Sequence, residues 1–238
     1  MKVANDRSEA PAAAFRARDL SRRYGQKWAL AHLDLEAQRG EVLLVAGPNG
    51  SGKTTLLRLL AGLLRPTSGE LEQFGRKLAS DPFGWRRNVS LLSHASYLYE
   101  PLTAIETVRL WARLLGRSTA APDLRARLAE VGLEQDADNL VNGFSAGMQK
   151  RLTFARVRLE DSALVLLDEP FAALDTAGQE LVTNWIAADR KAGKTVVIAS
   201  HNLERAARIA DHAVLLSRGQ KTWQGAAREL PNVLARVS

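Results

Sequence analysis

The string GPNGSGKTT, Gly47 to Thr55, stands between a short apolar run, Glu41 to Ala46, and a leucine-rich segment, Thr54 to Leu64, with no breaker before Gly62. Such a run stopped by glycine reads as a strand, and the leucine-rich segment as a helix. A glycine-rich turn joining a strand end to a helix start admits few folds. Gly47, Gly50 and Gly52 let successive backbone N–H groups converge on a phosphate, an approach that side chains would block. Pro48, Asn49 and Ser51 complete the turn. Lys53 then brings a point charge to the outer phosphates, Thr54 a hydroxyl to magnesium, and the helix continuing through Thr55 presents its positive end. These nine residues are the expected nucleotide cradle, with a nucleotide's phosphates and Mg2+ as its ligands.

The rest of the chain alternates strands and helices. Phe15 to Leu20, Leu30 to Leu35, Glu70 to Phe74 and Val89 to Ser93 read as strands, with a polar, glycine-punctuated loop before the last. The middle third changes character: Ile105, Val108, Trp111 and Leu115 fall at helical spacing, and Pro122 to Val131 and Ala146 to Leu159 read as further helices. Strand patterns return at Leu164 to Leu167, Thr195 to Ala199, Val214 to Ser217 and Lys221 to Trp223, with a helix over Thr176 to Lys191 that ends at Gly193. Alternation of this kind predicts an α/β fold: a mostly parallel sheet covered on both faces, with a helical lobe inserted at about 96–160. Residues 15–238 form that domain, and the first 14, polar, small and Pro-containing, are expected to be a flexible tail.

Two further clusters bring chemistry to the carboxyl ends of strands, where open α/β sheets place their ligands. LVLLDEP, Leu164 to Pro170, delivers Asp168, suited to hold magnesium, and Glu169, suited to orient and deprotonate an attacking water. His201 follows Thr195 to Ser200 and reaches the same edge, where it can hold phosphate and water in line with Glu169. Glu169, His201 and Lys53 are therefore the expected catalytic set, and Thr54 and Asp168 the metal ligands.

FSAGMQKR, Phe144 to Arg151, is separated by 14 residues from LLDEP, Leu166 to Pro170. With the two clusters above, it makes the chain resemble the ATP-binding subunit of an ABC transporter over nearly its whole length, which implies a RecA-like P-loop core joined by an antiparallel β subdomain. The resemblance implies that Tyr24 stacks adenine and that Ala172-Ala173-Leu174-Asp175 communicates with a partner subunit's site. It also implies that Ser145, Ala146 and Gly147, at a helix start, touch the γ-phosphate of an ATP held by a second copy of the chain. Small residues permit that approach, and the helix amino end favours anions. Integral membrane subunits are the other implied partners, which puts the protein on the cytoplasmic side of the inner membrane as a peripheral subunit. Ala146 and Met148 stand where the commonest signature has Gly and Gln. His94 takes the place of a glutamine that contacts magnesium; because magnesium prefers oxygen, the imidazole implies contact through water or none, with Ser93 an alternative donor. His94, the SAG signature and DEPFAALD are similar to the ATPase subunit of the haem exporter used in cytochrome c maturation.

Composition sets limits. With no cysteine, disulfides, thiolate zinc sites and thiol catalysis are excluded. A formal charge of +7 is spread over scattered arginines without an aromatic-interleaved basic stretch, so no nucleic-acid partner is expected. A P-loop kinase would share only Gly47 to Thr54 and leave FSAGMQKR without a role, and a non-transport ABC ATPase acting on nucleic acid or ribosomes would usually show tandem cassettes, a long coiled coil or zinc cysteines, none of which this sequence shows.

Overall fold

The computed structural model describes residues 13–93 and 95–235, Pro82 by its backbone alone. In chain order the elements are β1 (Ala13–Tyr24), β2 (Lys27–Gln38), β3 (Val42–Ala46), α1 (Lys53–Leu60), β4 (Ser68–Gln73), β5 (Arg76–Lys77), α2 (Pro82–Arg86) and β6 (Val89–Leu92). Then follow α3 (Ala104–Leu114), α4 (Ala121–Glu130), α5 (Ala146–Glu160), β7 (Leu164–Asp168), α6 (Thr176–Lys191), β8 (Thr195–Ser200), α7 (Leu203–Ile209), β9 (His212–Ser217), β10 (Gln220–Ala226) and α8 (Leu230–Ala235).

Two sheets form. The larger has the order β10-β9-β3-β8-β7-β6, parallel throughout except for β10 at its edge. The smaller is antiparallel, β2-β1-β4-β5. The larger sheet is covered on both faces, which is why β3 reads VLLVA with every residue buried. Leu43 and Val45 pack with α1 and the antiparallel sheet, whereas Val42, Leu44 and Ala46 pack with residues of α3 to α7. The period-two alternation therefore divides one uniformly apolar strand between two cores.

The helical insertion between β6 and β7 contains α3, α4 and α5. Thr103 starts α3 with a capping box: its Oγ1 accepts from the Glu106 amide at 3.3 Å, and Glu106 Oε2 accepts from the Thr103 amide at 2.8 Å.

Several expected boundaries shift. The strand expected at Phe15 begins at Ala13, and Ala14 is fully buried, so the last two residues of the expected tail belong to β1; residues 1–12 lie outside the described residues. Helix α1 stops at Leu60, short of Leu64, because the chain turns at Gly62 with φ 66°, and a Cβ there would meet the Trp85 ring at 2.8 Å. The loop expected before Val89 contains β5 and α2. In it the buried Trp85 donates through Nε1 to the Leu60 carbonyl at 2.7 Å, closing the end of α1. Helices α7 and α8 were not legible as separate elements, being only 7 and 6 residues long.

Candidate functional site

Strand β3 ends at Ala46, and residues 47–52 wrap back to start α1 at Lys53. Gly52, the N-cap, has φ 107°, and a Cβ on it would lie 2.5 Å from the Ala29 carbonyl oxygen. No other residue fits there without displacing β2. The Ala29 carbonyl is pressed from the other side by Gly219, whose added Cβ would come within 2.9 Å. Gly219 also donates to Ser51 O at 3.1 Å and accepts from the Ala31 amide at 2.9 Å. The β9–β10 turn thus stitches the phosphate loop to the antiparallel sheet.

Lys53 is buried, and its ammonium donates to the carbonyls of Gly47 at 2.7 Å and Pro48 at 3.1 Å. Burial pushes its pKa below the usual lysine value, against the opposing pull of Glu169 and Asp168. Beside it, Thr54 Oγ1 donates to Asp168 Oδ2 at 2.8 Å. Two hard oxygens meeting where the loop enters its helix are a donor set that suits magnesium, which takes one or two protein oxygens and completes its shell with phosphates and water. Among the described residues no group of three or more His, Cys, Asp or Glu side chains is placed to hold a metal by protein alone. Ser51 Oγ is buried without a hydrogen-bond partner among the described residues, a donor available to a phosphate oxygen.

Glu169 occupies the left-handed region at φ 50°, and its amide donates to Ala199 O at 2.8 Å. Both of its carboxylate oxygens are engaged. Oε2 accepts from Ser200 Oγ at 3.0 Å; Oε1 accepts from the His201 amide at 3.0 Å and lies 2.8 Å from His201 Nδ1. The end of β8 therefore fixes the acid delivered by the end of β7.

A cavity of about 630 Å³ joins these groups, lined by Tyr24, Trp28 and Ala29, by residues 49–55, and by Asp168, Glu169 and His201. Of the expected residues, Tyr24, the loop, Asp168, Glu169 and His201 share this cavity, while Gly47 and Pro48 underlie it through Lys53. Ser145, Ala146 and Gly147 do not line it. They begin α5, where Ser145 Oγ accepts from the Met148 amide at 3.3 Å. Ser93, expected as an alternative oxygen donor, donates instead to Ala95 O at 2.6 Å and lines a different groove. His94 lies outside the described residues.

Two residues were missed. Trp28, half exposed like Tyr24, faces the cavity across the β1–β2 turn, with the Arg23 guanidinium 5.5 Å from its ring centre. An aromatic four residues after Tyr24 was the available signal. Ser200 was hidden in an apolar strand.

Fold and site together define a phosphate-loop nucleotide hydrolase of the α/β class. The profile of the ABC transporter family matches residues 30–172, more than half of the chain, and the chain belongs to that family. The Nod factor export ATP-binding protein I of Cupriavidus metallidurans is 34% identical over 215 residues, 90% of this chain and 71% of the relative. The SkfA peptide export ATP-binding protein SkfE of Bacillus subtilis is 32% identical over 206 residues, 85% and 84% of the two chains. The thiamine import ATP-binding protein ThiQ of Shigella boydii is 35% identical over 218 residues, 89% and 94% of the two. Among solved structures, an ATP-binding subunit of an ABC transporter superposes with a TM-score of 0.83 at 28% identity over 93% of each chain. A dimeric cassette in a post-hydrolysis state, bound to ADP and Pi, superposes with a TM-score of 0.79 at 25% identity, covering 90% of this chain and 99% of that one. The chain is an ATPase cassette of a transporter. No helix among the described residues is long and apolar enough to cross a membrane.

Proposed function

We propose that this chain is the ATP-hydrolysing subunit of an ABC exporter, working as a pair of copies attached to integral membrane subunits. The observation that carries the reading is a division within one chain: the phosphate loop and carboxylates share a cavity, while Ser145 to Gly147 stand outside it at a capped helix start. Each ATP then lies between the loop of one copy and the Ser145 helix of the other. The loop amides and Lys53 hold the phosphates, and Thr54 and Asp168 hold magnesium, which when bound neutralises phosphate charge. Glu169, aligned by Ser200 and His201, takes the proton of the attacking water. ATP binding closes the pair and hydrolysis reopens it, moving the membrane subunits.

Complementation tests this arrangement. Lys53→Ala and Ser145→Arg are each expected to be inactive alone. A mixture is expected to hydrolyse ATP, because one site in each mixed pair then has an intact loop and an intact opposing helix. If mixing restores nothing while mixed pairs form, Ser145 does not act on its partner's ATP.

At the base end, Tyr24 and Trp28 offer two aromatic surfaces. Alanine at either position is expected to weaken binding of a fluorescent ATP analogue by about tenfold, from the ~1–3 kcal/mol of base stacking, with phenylalanine largely tolerated. Unchanged affinity removes that ring from the base site.

Docking of membrane subunits is assigned to the groove between core and helical lobe, about 610 Å³ and lined in part by Arg58, Leu64, Leu91, Tyr97, Trp111 and Arg156. Tyr97 and Tyr99 next to it are strongly exposed. The narrower reading as a haem exporter rests on His94 and the signature form alone. The relatives reported above carry names for Nod factor, peptide and thiamine transport. Cargo is read by the membrane subunits, so affinity capture from detergent-solubilised membranes, followed by assay of the co-purified integral proteins for bound haem, separates the two readings.

A further inference from the structure

Lys150 has no part in the chemistry above, yet it is one of the few buried charged side chains, 9% exposed, and it sits just over one turn into α5 after Ser145. Its ammonium points to the end of β7, where it donates to the main-chain carbonyl of Asp168 at 3.4 Å. The carboxylates of Asp168 and Glu169 both lie within its electrostatic reach, and this attraction offsets part of the cost of burying the charge. The peptide it holds is the one that carries the chain into the left-handed conformation of Glu169.

A second contact comes from the same helix. A Cβ on Gly147 would lie 2.8 Å from the Ala173 carbonyl oxygen, so the helix start rests directly on the loop that follows Glu169. Within that loop the Ala172 amide donates back to Glu169 O at 3.2 Å. The segment from Asp168 to Ala173 is thus held at both ends by the first turns of α5.

We propose that Lys150 is a positioning residue for ATP hydrolysis, pinning the Asp168 main chain from the helix that carries Ser145 and so fixing the direction in which Glu169 points. This rests on Glu169 as the base. A consequence follows for the pair of copies: the helix that touches one ATP also sets the carboxylate acting on the other, so each subunit links both sites.

The test compares Lys150→Met, which keeps most of the apolar stem and loses the donor, with Lys150→Arg, which keeps a charged donor, and Lys150→Gln, which has the reach of Met and a neutral donor one bond shorter than that of lysine. Steady-state kinetics and titration with a fluorescent ATP analogue are run on the full chain. The Met variant is expected to lose about five- to tenfold in kcat, with KM and analogue affinity changed by less than about twofold, the signature of a lost orienting contact and not of lost binding. Arg is expected to stay near the parent, and Gln to fall between. A Met variant at the parent rate overturns the proposal, as do equal losses in all three variants or affinity falling in step with kcat. Should the Met variant not fold, Arg and Gln decide: Gln matching Arg and the parent overturns it. Glu169→Gln run alongside separates the two ideas: full activity there defeats the base assignment, whereas loss there with a fully active Lys150→Met defeats only the pin.

Discussion

Glu169→Gln is expected to bind ATP as the parent does, to lose about a hundredfold or more of its turnover, and to accumulate as a closed pair of copies in the presence of ATP. The geometry predicts this separation of binding from chemistry. The amide oxygen of glutamine still accepts from the His201 amide, and its NH2 group meets Ser200 Oγ, so the side chain keeps its place while losing the basic oxygen. Size-exclusion chromatography with light scattering, with and without ATP, reads the pairing; phosphate release reads the turnover. A variant that remains monomeric and hydrolyses at the parent rate defeats the assignment of Glu169 and the two-copy mechanism together.

Lys53→Ala is expected to act one step earlier. Its ammonium lies buried between the Gly47 and Pro48 carbonyls, at the point where the loop must present positive charge to a polyphosphate. A charge-assisted contact in such a place is worth up to ~3 kcal/mol, so analogue affinity is expected to fall by about a hundredfold. The fold should survive, because truncation takes a cation out of a low-dielectric position and leaves two carbonyls near water. Calorimetric binding against a thermal melt checks both halves: parent-like affinity, or a collapsed melting transition, contradicts the account.

The site was legible where chemistry restricts residue type. Gly47 to Thr55 could be assigned because backbone approach demands glycine and phosphate demands a cation; Asp168, Glu169 and His201 because they close strands whose apolar character is unmistakable. Trp28, Ser200 and Lys150 were not, since an indole in a strand, a serine after four apolar residues and a lysine in a helix each have a commoner use. The same limit governed the fold. Helix α2, of 5 residues, is less than two turns and cannot display a period. Strand β1 ran longer than its pattern suggested because Asp19, with φ 47°, and its neighbour His32 on β2, with φ 51°, bulge the pairing and break alternation. The grouping of Ser145 with a distant ATP rests on resemblance, since no local periodicity encodes a contact made by another chain.

The Ala29 carbonyl, caught between Gly52 and Gly219, ties together a loop, a sheet and a hairpin that come from three separate parts of the chain. Because Tyr24 and Trp28 grow from the same sheet, the distance from the proposed base platform to the phosphate loop is set when the protein folds. The entropy of arranging those two halves is spent before any nucleotide arrives, so binding energy remains for drawing two subunits together. In the two-copy mechanism proposed above, rigidity within each half-site is what leaves the large motion to occur between subunits.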